Sequence, residues 1–265
     1  RLFSDNVLII LRGSEIRQWY DRVNIFQRSI FRYIVGGVRG ALVLSARLRF
    51  LFESVLPDEK IFVVTNGLDV PRREKCEVSN PARLAYISNL QRSKGILDVI
   101  LAAKILGNRN VAYHLEVYGS WYDMKTRAEC EGIIIDNELP VVLNGPISNH
   151  QEKMAALAKS DIYVFVPRAP EGLPWAVIEA LGTGLPIIST NQGAIADMVR
   201  DGINGFIVNS GAPEAIADRI QYLMERPYDI IRMGERSREI YEAGYTMKAM
   251  EDSFISVFNE VLLNR

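Results

Sequence analysis

Two glutamates, Glu171 and Glu179, flank the most informative turn of this 265-residue chain. Between them, Gly172-Leu173-Pro174 forms a turn that opens a helix, because proline lacks the N–H that would be unpaired there and its φ is already helical. The start of a helix presents free backbone N–H groups that attract phosphate. Carboxylates on both sides can accept hydrogen bonds from sugar hydroxyls. The stretch therefore predicts a site for a molecule that carries both phosphate and sugar.

A lysine at a second turn could bind the same molecule. Lys94 and Gly95 follow an apolar run that ends at Ser88, so they lie at a strand-to-helix turn where a lysine can neutralise a diphosphate. The alternative interpretations are a solvated loop lysine for Lys94 and solvated acidic residues for Glu171 and Glu179. Acidic residues are common at helix starts for dipole reasons alone.

The spacing of apolar residues predicts the elements that position these turns. Strands are predicted over Val7–Leu11, Ala41–Leu44, Ile61–Val64, Leu84–Ser88, Tyr113–Tyr118, Val141–Leu143, Ile162–Val166 and Pro186–Thr190. Helices are predicted over Gln18–Val35, Ala46–Leu56, Gly95–Leu106, 122–137, Gln151–Ser160, Trp175–Leu181, from Pro213 onward, Tyr228–Ala243 and Met247–Leu263. The polar stretch Asp69–Pro81 is predicted to be a linker. This alternation predicts an α/β fold with buried parallel sheets covered on both sides.

The charge of the chain is unevenly distributed. The net charge is −1, which gives no indication of nucleic-acid binding, but residues 12–49 contain eight arginines and only two acidic residues. With neighbours such as Trp19, Tyr20, Phe26 and Phe31, this segment could lie on an anionic membrane surface. The alternative is an amphipathic helix packed in a core with a solvated arginine face. No apolar run approaches the roughly 18 residues of a membrane-spanning helix.

The cysteines and histidines predict no metal site. Cys76 and Cys130 fit no metal-ligand or redox spacing, so they are expected to be buried thiols of a protein in a reducing compartment such as the cytoplasm. His114 is expected in a strand core and His150 at a helix cap, with no ligand spacing around either. We therefore expect neither a metal nor another cofactor.

Residues Glu171 to Val208 resemble the signature of the retaining family 4 glycosyltransferases, which have the GT-B fold of two facing Rossmann-like domains. A Gly-x-Pro turn lies between glutamates eight positions apart, and Gly184–Thr190, Asn191–Ala194 and Asp201–Val208 follow in the family's order. The resemblance implies a partial N-terminal, acceptor-side domain over residues 1–75, a nucleotide-sugar-binding domain over 82–242, and a helix over 247–265 that crosses back to the first domain. The family's opening strand and Gly-rich loop have no counterpart here, so the first half of the N-terminal domain is expected to be missing.

The resemblance also implies an activity. A hexose would pass from a nucleotide-diphosphate sugar to a hydroxyl of a saccharide or lipid-linked acceptor, with retention and without a metal, in bacterial polysaccharide or glycolipid synthesis. The enzyme would be cytoplasmic, at the inner face of a membrane that it contacts peripherally. The alternatives are a non-catalytic nucleotide-sugar-binding module and a GT-B sugar phosphorylase with pyridoxal phosphate.

The resemblance assigns individual residues as well. Lys94 and Glu171 would be catalytic. The donor would be bound by Glu179, Asn89, Gly95, Gly172, Leu173, Pro174, Gly119 and Ile147. Asn89 stands where the family usually has an arginine, for which Arg92 could compensate, and Arg12-Gly13-Ser14 stands where many members carry a His-Gly element.

Overall fold

Two parallel β-sheets form the framework of the protein. The computed structural model describes residues 7–13, 15–73 and 77–263, so Ser14 and Cys76 lie outside the described residues. The first sheet has the order β1 (Leu8–Leu11), β2 (Gly40–Val43), β3 (Ile61–Val63). The second contains β4 (Ala82–Ile87), β5 (Tyr113–Tyr118), β6 (Val141–Gly145), β7 (Ile162–Phe165), β8 (Ile187–Thr190) and β9 (Gly205–Val208), in the order β6-β5-β4-β7-β8-β9. The predicted α/β fold with parallel sheets is confirmed.

The strand order of the second sheet determines where a ligand can bind. The chain builds outward from β4 to β6 on one side, then returns to place β7 beside β4, with Leu84 opposite Ile162. Open parallel sheets bind ligands in the crevice at the carboxyl ends of the strands where this reversal occurs. The Lys94 turn follows β4 and the Glu171 loop follows β7, so both belong to this crevice.

Helices cover the sheets and bury an apolar core. They are α1 (Glu15–Arg22), α2 (Ile25–Gly36), α3 (Ile96–Asn108), α4 (Met124–Asp136), α5 (His150–Lys159), α6 (Trp175–Thr183), α7 (Ile195–Met198), α8 (Pro213–Met224), α9 (Pro227–Gly244) and α10 (Met247–Leu263). Tyr86 and Tyr163 are among the largest fully buried side chains of the core. Within the described residues, no helix is long and apolar enough to cross a membrane.

Several elements differ from the sequence-based predictions. The helix predicted over Gln18–Val35 is broken at Asn24, whose side chain accepts from Gln27 N at 2.9 Å while its own N–H donates to Gln27 Oε1 at 3.2 Å. This reciprocal capping box starts a new helix. Ala46–Leu51 forms a 3₁₀ helix rather than an α-helix. Strand β9 and the four-residue helix α7 have no counterpart among the predicted elements.

The last helix packs against the first sheet. Val257 and Val261 of α10 form a buried cluster with Leu42 of β2 and Val64. Ser253 Oγ donates to a carbonyl of β3 at 3.3 Å. The C-terminal helix thus packs on the three-stranded sheet that β1, β2 and β3 form.

Candidate active site

Lys94 and Glu171 form an ion pair at the point where β4 and β7 end. Lys94 Nζ lies 2.6 Å from Glu171 Oε1. The buried Tyr86 hydroxyl donates to the Lys94 carbonyl oxygen at 3.0 Å and so fixes the backbone of this turn to β4. Burial raises the pKa of Glu171, and the Lys94 ammonium opposes that rise. The structure therefore brings together the two residues that were expected to be catalytic.

Glycines allow the main chain to pack closely around this pair. Gly95 begins α3 with φ +84°, and a Cβ atom there would lie 2.7 Å from Val166 C. Gly193 has φ +60°, and a Cβ atom would lie 2.6 Å from Glu171 C and 2.9 Å from its N. Both conformations disfavour side chains. The Lys94 turn therefore packs against the backbone of Val166, where the Glu171 loop begins. The Gly193 turn packs against the backbone of Glu171 itself.

Glu179 lies in the interior rather than on a solvated helix face. It is 3% exposed on α6, and Lys153 Nζ of α5 lies 2.9 Å and 3.1 Å from its two carboxylate oxygens. His150 Nδ1 lies 3.8 Å from Glu179 Oε1, so His150 faces the carboxylate, and Asn149 is the N-cap of α5 in place of the expected His150. Sequence reasoning missed Lys153, because nothing in its local sequence distinguishes it from a surface lysine.

The turn between the two glutamates is held by a residue from the first part of the chain. Asn66, which is buried, donates from Nδ2 to the Leu173 carbonyl oxygen at 3.0 Å. Pro174 caps α6, and the first helical bonds run from Val177 and Ile178 N–H to its carbonyl oxygen. The N–H groups before Val177 stand outside the helical ladder, which is the arrangement that binds anions.

The other expected donor-binding residues follow neighbouring strands. Gly119, after β5, has φ +152°, and a Cβ atom there would lie 3.0 Å from Ser88 C, so β4 and β5 end in close contact. Asn89 is exposed beside this contact. Ile147 is half-buried in the loop after the edge strand β6, farther along the same end of the sheet. Arg92, expected to compensate for Asn89, pairs instead with Glu129 of α4.

A cavity separates the Lys94–Glu171 pair from the first sheet. Its volume is about 540 Å³, and it is lined by Leu11, Arg12, Gly13, Ile16, Trp19, Lys94, Pro170, Glu171 and Gly172. The main chain of Gly172 packs closely against the main chain of Arg12, since a Cβ atom at Gly172 would overlap the Arg12 carbonyl oxygen. One wall thus offers an ammonium and a carboxylate, and the other offers Arg12 with the apolar Ile16 and aromatic Trp19.

Comparison with known proteins identifies the family of the chain. Residues 71–247 match the family model described as glycosyl transferases group 1. The chain is 26% identical over 179 residues to the capsular polysaccharide biosynthesis glycosyltransferase CapM of Staphylococcus aureus, which covers 68% of this chain and 46% of that protein. It is 23% identical over 216 residues to the GDP-mannose:cellobiosyl-diphosphopolyprenol alpha-mannosyltransferase of Xanthomonas oryzae, with coverage of 80% and 56%. The chain spans about half the length of these curated relatives.

Solved structures show the same fold. HepE of Anabaena in complex with UDP has a TM-score of 0.84 at 15% identity, with coverage of 96% of this chain and 72% of that chain. TarM of Staphylococcus aureus, in complex with fondaparinux, alpha-GlcNAc-glycerol and UDP, has a TM-score of 0.77 at 17% identity, with coverage of 96% and 51%. These likenesses concern the fold, and they confirm the predicted GT-B type. Since the family model covers well over half of the residues, the chain belongs to the group 1 glycosyl transferases.

Proposed function

We propose that this chain is the donor-binding and catalytic part of an enzyme that transfers a hexose from a nucleotide-diphosphate sugar to a hydroxyl acceptor. The observation that carries the proposal is the Lys94–Glu171 pair at the switch point of the second sheet, next to the start of α6. An ammonium group has three N–H donors, and only one is needed for Glu171 Oε1. The others can reach the phosphate oxygens of a donor in the same crevice.

The chemistry follows from where charge develops. In transfer with retention, the bond from the anomeric carbon to the diphosphate oxygen breaks, the acceptor oxygen bonds to the same face, and its proton passes to the leaving phosphate. Lys94 and the N–H groups at the α6 start would stabilise the diphosphate charge, which is the main electrostatic contribution. Glu171 would orient the transferred sugar and favour its oxocarbenium-like state. Glu179 would accept hydrogen bonds from ribose hydroxyls.

We also propose how the two sheets divide the work. Residues 82–242 would bind the donor, residues 1–75 would face the acceptor, and the helix over 247–265 would join them, as the packing of α10 on the first sheet supports. The cavity beside Arg12 and Trp19 would then admit the acceptor. The curated relatives named above favour a saccharide or lipid-linked acceptor in bacterial polysaccharide synthesis.

Calorimetric titration with UDP, GDP and ADP tests the donor site. Glu179→Ala and Lys94→Ala should each weaken the binding of the preferred nucleoside diphosphate by about 1–3 kcal/mol, the effect of losing a charged hydrogen bond. Lys125→Ala, which removes an exposed lysine of α4, is the matched control and should bind like the wild type. Unchanged affinity in both site variants would show that the site assignment is wrong.

Further measurements separate the proposal from its rivals and test retention and metal independence. A non-catalytic binding module would bind the nucleotide sugar without releasing nucleoside diphosphate in the presence of acceptor. A sugar phosphorylase with pyridoxal phosphate on a lysine would show the absorbance band of that cofactor.

Nuclear magnetic resonance of the first product would report the anomeric configuration, and inversion would refute retention. Transfer should continue in excess chelator if no metal takes part.

The surface of α2 supports a peripheral contact with an anionic membrane. Ile25, Phe26 and Tyr33 are 83%, 71% and 66% exposed, and Val35 is the one residue of this helix described as buried. Phe31 of the same helix instead packs against the core, as the alternative interpretation of an amphipathic helix expects. Arg28 and Arg32 of the same helix donate to the Tyr20 carbonyl and hydroxyl oxygens of α1. Membrane contact, together with a nucleotide-sugar donor, would place the enzyme in the cytoplasm at the inner membrane face.

Sedimentation with liposomes tests the membrane contact. Each arginine near anionic lipid contributes about 1 kcal/mol, so binding should require anionic lipid and fall at high salt. Phe26→Glu should abolish binding, whereas Tyr228→Glu, which changes a similarly exposed aromatic on α9, should not. Equal binding to neutral vesicles, or none to either kind, would contradict the proposal.

A further inference from the structure

A buried carboxylate in α3 has no role in the chemistry above. Asp98 lies in the first turn of α3 and is fully buried among apolar residues of that helix. Burying a charge is unfavourable unless it is paired and hydrogen-bonded. Its partner is Arg168, which donates from Nε to Asp98 Oδ2 at 2.7 Å and from Nη2 to Oδ1. The two parallel bonds hold the guanidinium in one orientation.

This ion pair connects the two active-site loops. Asp98 stands four residues after Lys94, on the helix that the Lys94 turn opens, and Arg168 stands three residues before Glu171. The backbones of the same loops also meet, since Arg168 N–H donates to the Ser93 carbonyl oxygen at 2.8 Å. The Asp98–Arg168 pair therefore joins the same two segments of chain as the Lys94–Glu171 pair.

The loop that carries Arg168 is anchored from its other side as well. Thr190 Oγ1 and Ser210 Oγ donate to the Pro167 carbonyl oxygen at 2.7 Å and 3.2 Å. These bonds hold the loop to β8 and to the turn after β9, whereas the Arg168 side chain holds it to α3. Without the ion pair, the loop would keep its main-chain bond to Ser93 but would lose the side-chain contact that fixes its position relative to α3.

We propose that Asp98 and Arg168 are positioning residues that set the separation between the Lys94 ammonium and the Glu171 carboxylate. The inference rests on the proposed function, because positioning matters only if these two groups act on a donor. An electrostatic site must be held within about 0.5 Å of its productive geometry. A displacement of about 1 Å, caused by a change away from the reacting atoms, can lower the rate by about 100-fold.

The experiment compares nucleoside diphosphates with monophosphates. UDP and UMP, and in parallel GDP and GMP, are titrated into the wild type, Arg168→Gln, Asp98→Asn and Arg168→Lys. In the proposed site, the β-phosphate of a nucleoside diphosphate contacts Lys94, whereas the ribose, which a monophosphate also has, contacts Glu179 of α6. The preference for diphosphate over monophosphate should fall about tenfold in Arg168→Gln and Asp98→Asn, the factor for one charged hydrogen bond. Monophosphate affinity should not change.

Rescue and control variants separate positioning from stability. Arg168→Lys keeps the charge and should recover part of the diphosphate preference. Arg109→Gln breaks a second ion pair of the α3 region, in which Arg109 Nη1 lies 2.7 Å from Asp218 Oδ1 of α8, and it should keep the full preference. Turnover of UDP-glucose or GDP-mannose should fall about 10- to 100-fold in Arg168→Gln while KM for the donor rises less.

The outcomes are distinguishable. If Arg168→Gln lowers only the melting temperature and keeps the diphosphate preference and turnover, the pair is structural and the inference is overturned. If Asp98→Asn does not fold, Arg168→Gln and Arg168→Lys decide the question alone. If the wild type shows no preference for diphosphates at all, the proposed function fails and the positioning role fails with it.

Discussion

Replacing Gly193 by alanine should displace Glu171 without touching any charged group. Gly193 has φ +60°, and its Cα faces the Glu171 main chain so closely that a Cβ atom would overlap the Glu171 carbonyl oxygen. The neighbouring Ala194 N–H donates to the Gly172 carbonyl oxygen at 3.3 Å, so the two segments are also hydrogen-bonded. Because the overlapping atoms belong to backbone, no side-chain rotation can relieve the collision. The Glu171 loop and the Gly193 turn must therefore move apart.

A second glycine provides the matched control. Gly202 has φ +72° and nothing lies within 4 Å of a Cβ atom placed there. Gly202→Ala should therefore lose only the conformational term, about 1–2 kcal/mol of unfolding free energy. Gly193→Ala has the same term plus about 1–3 kcal/mol for overpacking, or about 2–5 kcal/mol in all. The difference between the two variants isolates the collision with Glu171.

Two assays report on the two consequences. Urea unfolding followed by circular dichroism measures the stability difference, and calorimetric titration with UDP and GDP measures the donor site. Gly193→Ala should bind nucleoside diphosphate more weakly and lose transfer activity, whereas Gly202→Ala should match the wild type in both. The reasoning is refuted if the two variants are equally stable and Gly193→Ala binds and turns over donor normally.

Three other changes probe the same region. Burial raises the pKa of Glu171 from its ordinary value of 4.5, so the folded state loses stability relative to the unfolded state as pH rises through that raised pKa. Glu171→Gln should therefore melt higher than the wild type at pH 8, and the gap should close as pH falls toward 4.5; a gap that widens in acid would contradict this. Asn66→Ala leaves the buried Leu173 carbonyl oxygen without its donor and should cost about 1–3 kcal/mol in urea unfolding, whereas an unchanged midpoint would exclude that bond as a support. Lys153→Met leaves the Glu179 carboxylate without its ammonium and should weaken nucleoside monophosphate binding, while equal affinity would show that Lys153 does not orient Glu179.

The parallel sheets could be predicted from sequence because their strands are continuous apolar runs. Tyr113–Tyr118 was predicted with its observed bounds, and the helix predicted from Trp175 extends only two residues further, to Thr183. The Lys94–Glu171 pair could be anticipated because each residue follows a strand, and neighbouring parallel strands end at the same edge. Features that depend on neighbouring residues, such as strand and helix bounds, could therefore be predicted from the sequence.

The supports of the site could not be predicted in this way. Asn66 reaches Leu173 across 107 residues, and Arg168 reaches Asp98 across 70. No periodicity or spacing links such distant positions, and each of the three polar residues resembles an ordinary loop or helix residue when taken alone. The break between α1 and α2 is different, since the Asn24 capping box is local and was overridden by the longer apolar pattern.

The charges of the site would let an acidic motif bind the proposed diphosphate. Two glutamates near a diphosphate would repel it if they were unpaired. Each has its own ammonium instead: Lys94 lies 2.6 Å from Glu171, and Lys153 lies 2.9 Å from Glu179. The carboxylates are thereby neutralised, and the N–H groups at the α6 start remain as an uncompensated positive end. In this chain, the proposed anion site would therefore depend on two lysines from outside the motif, one after β4 and one on α5.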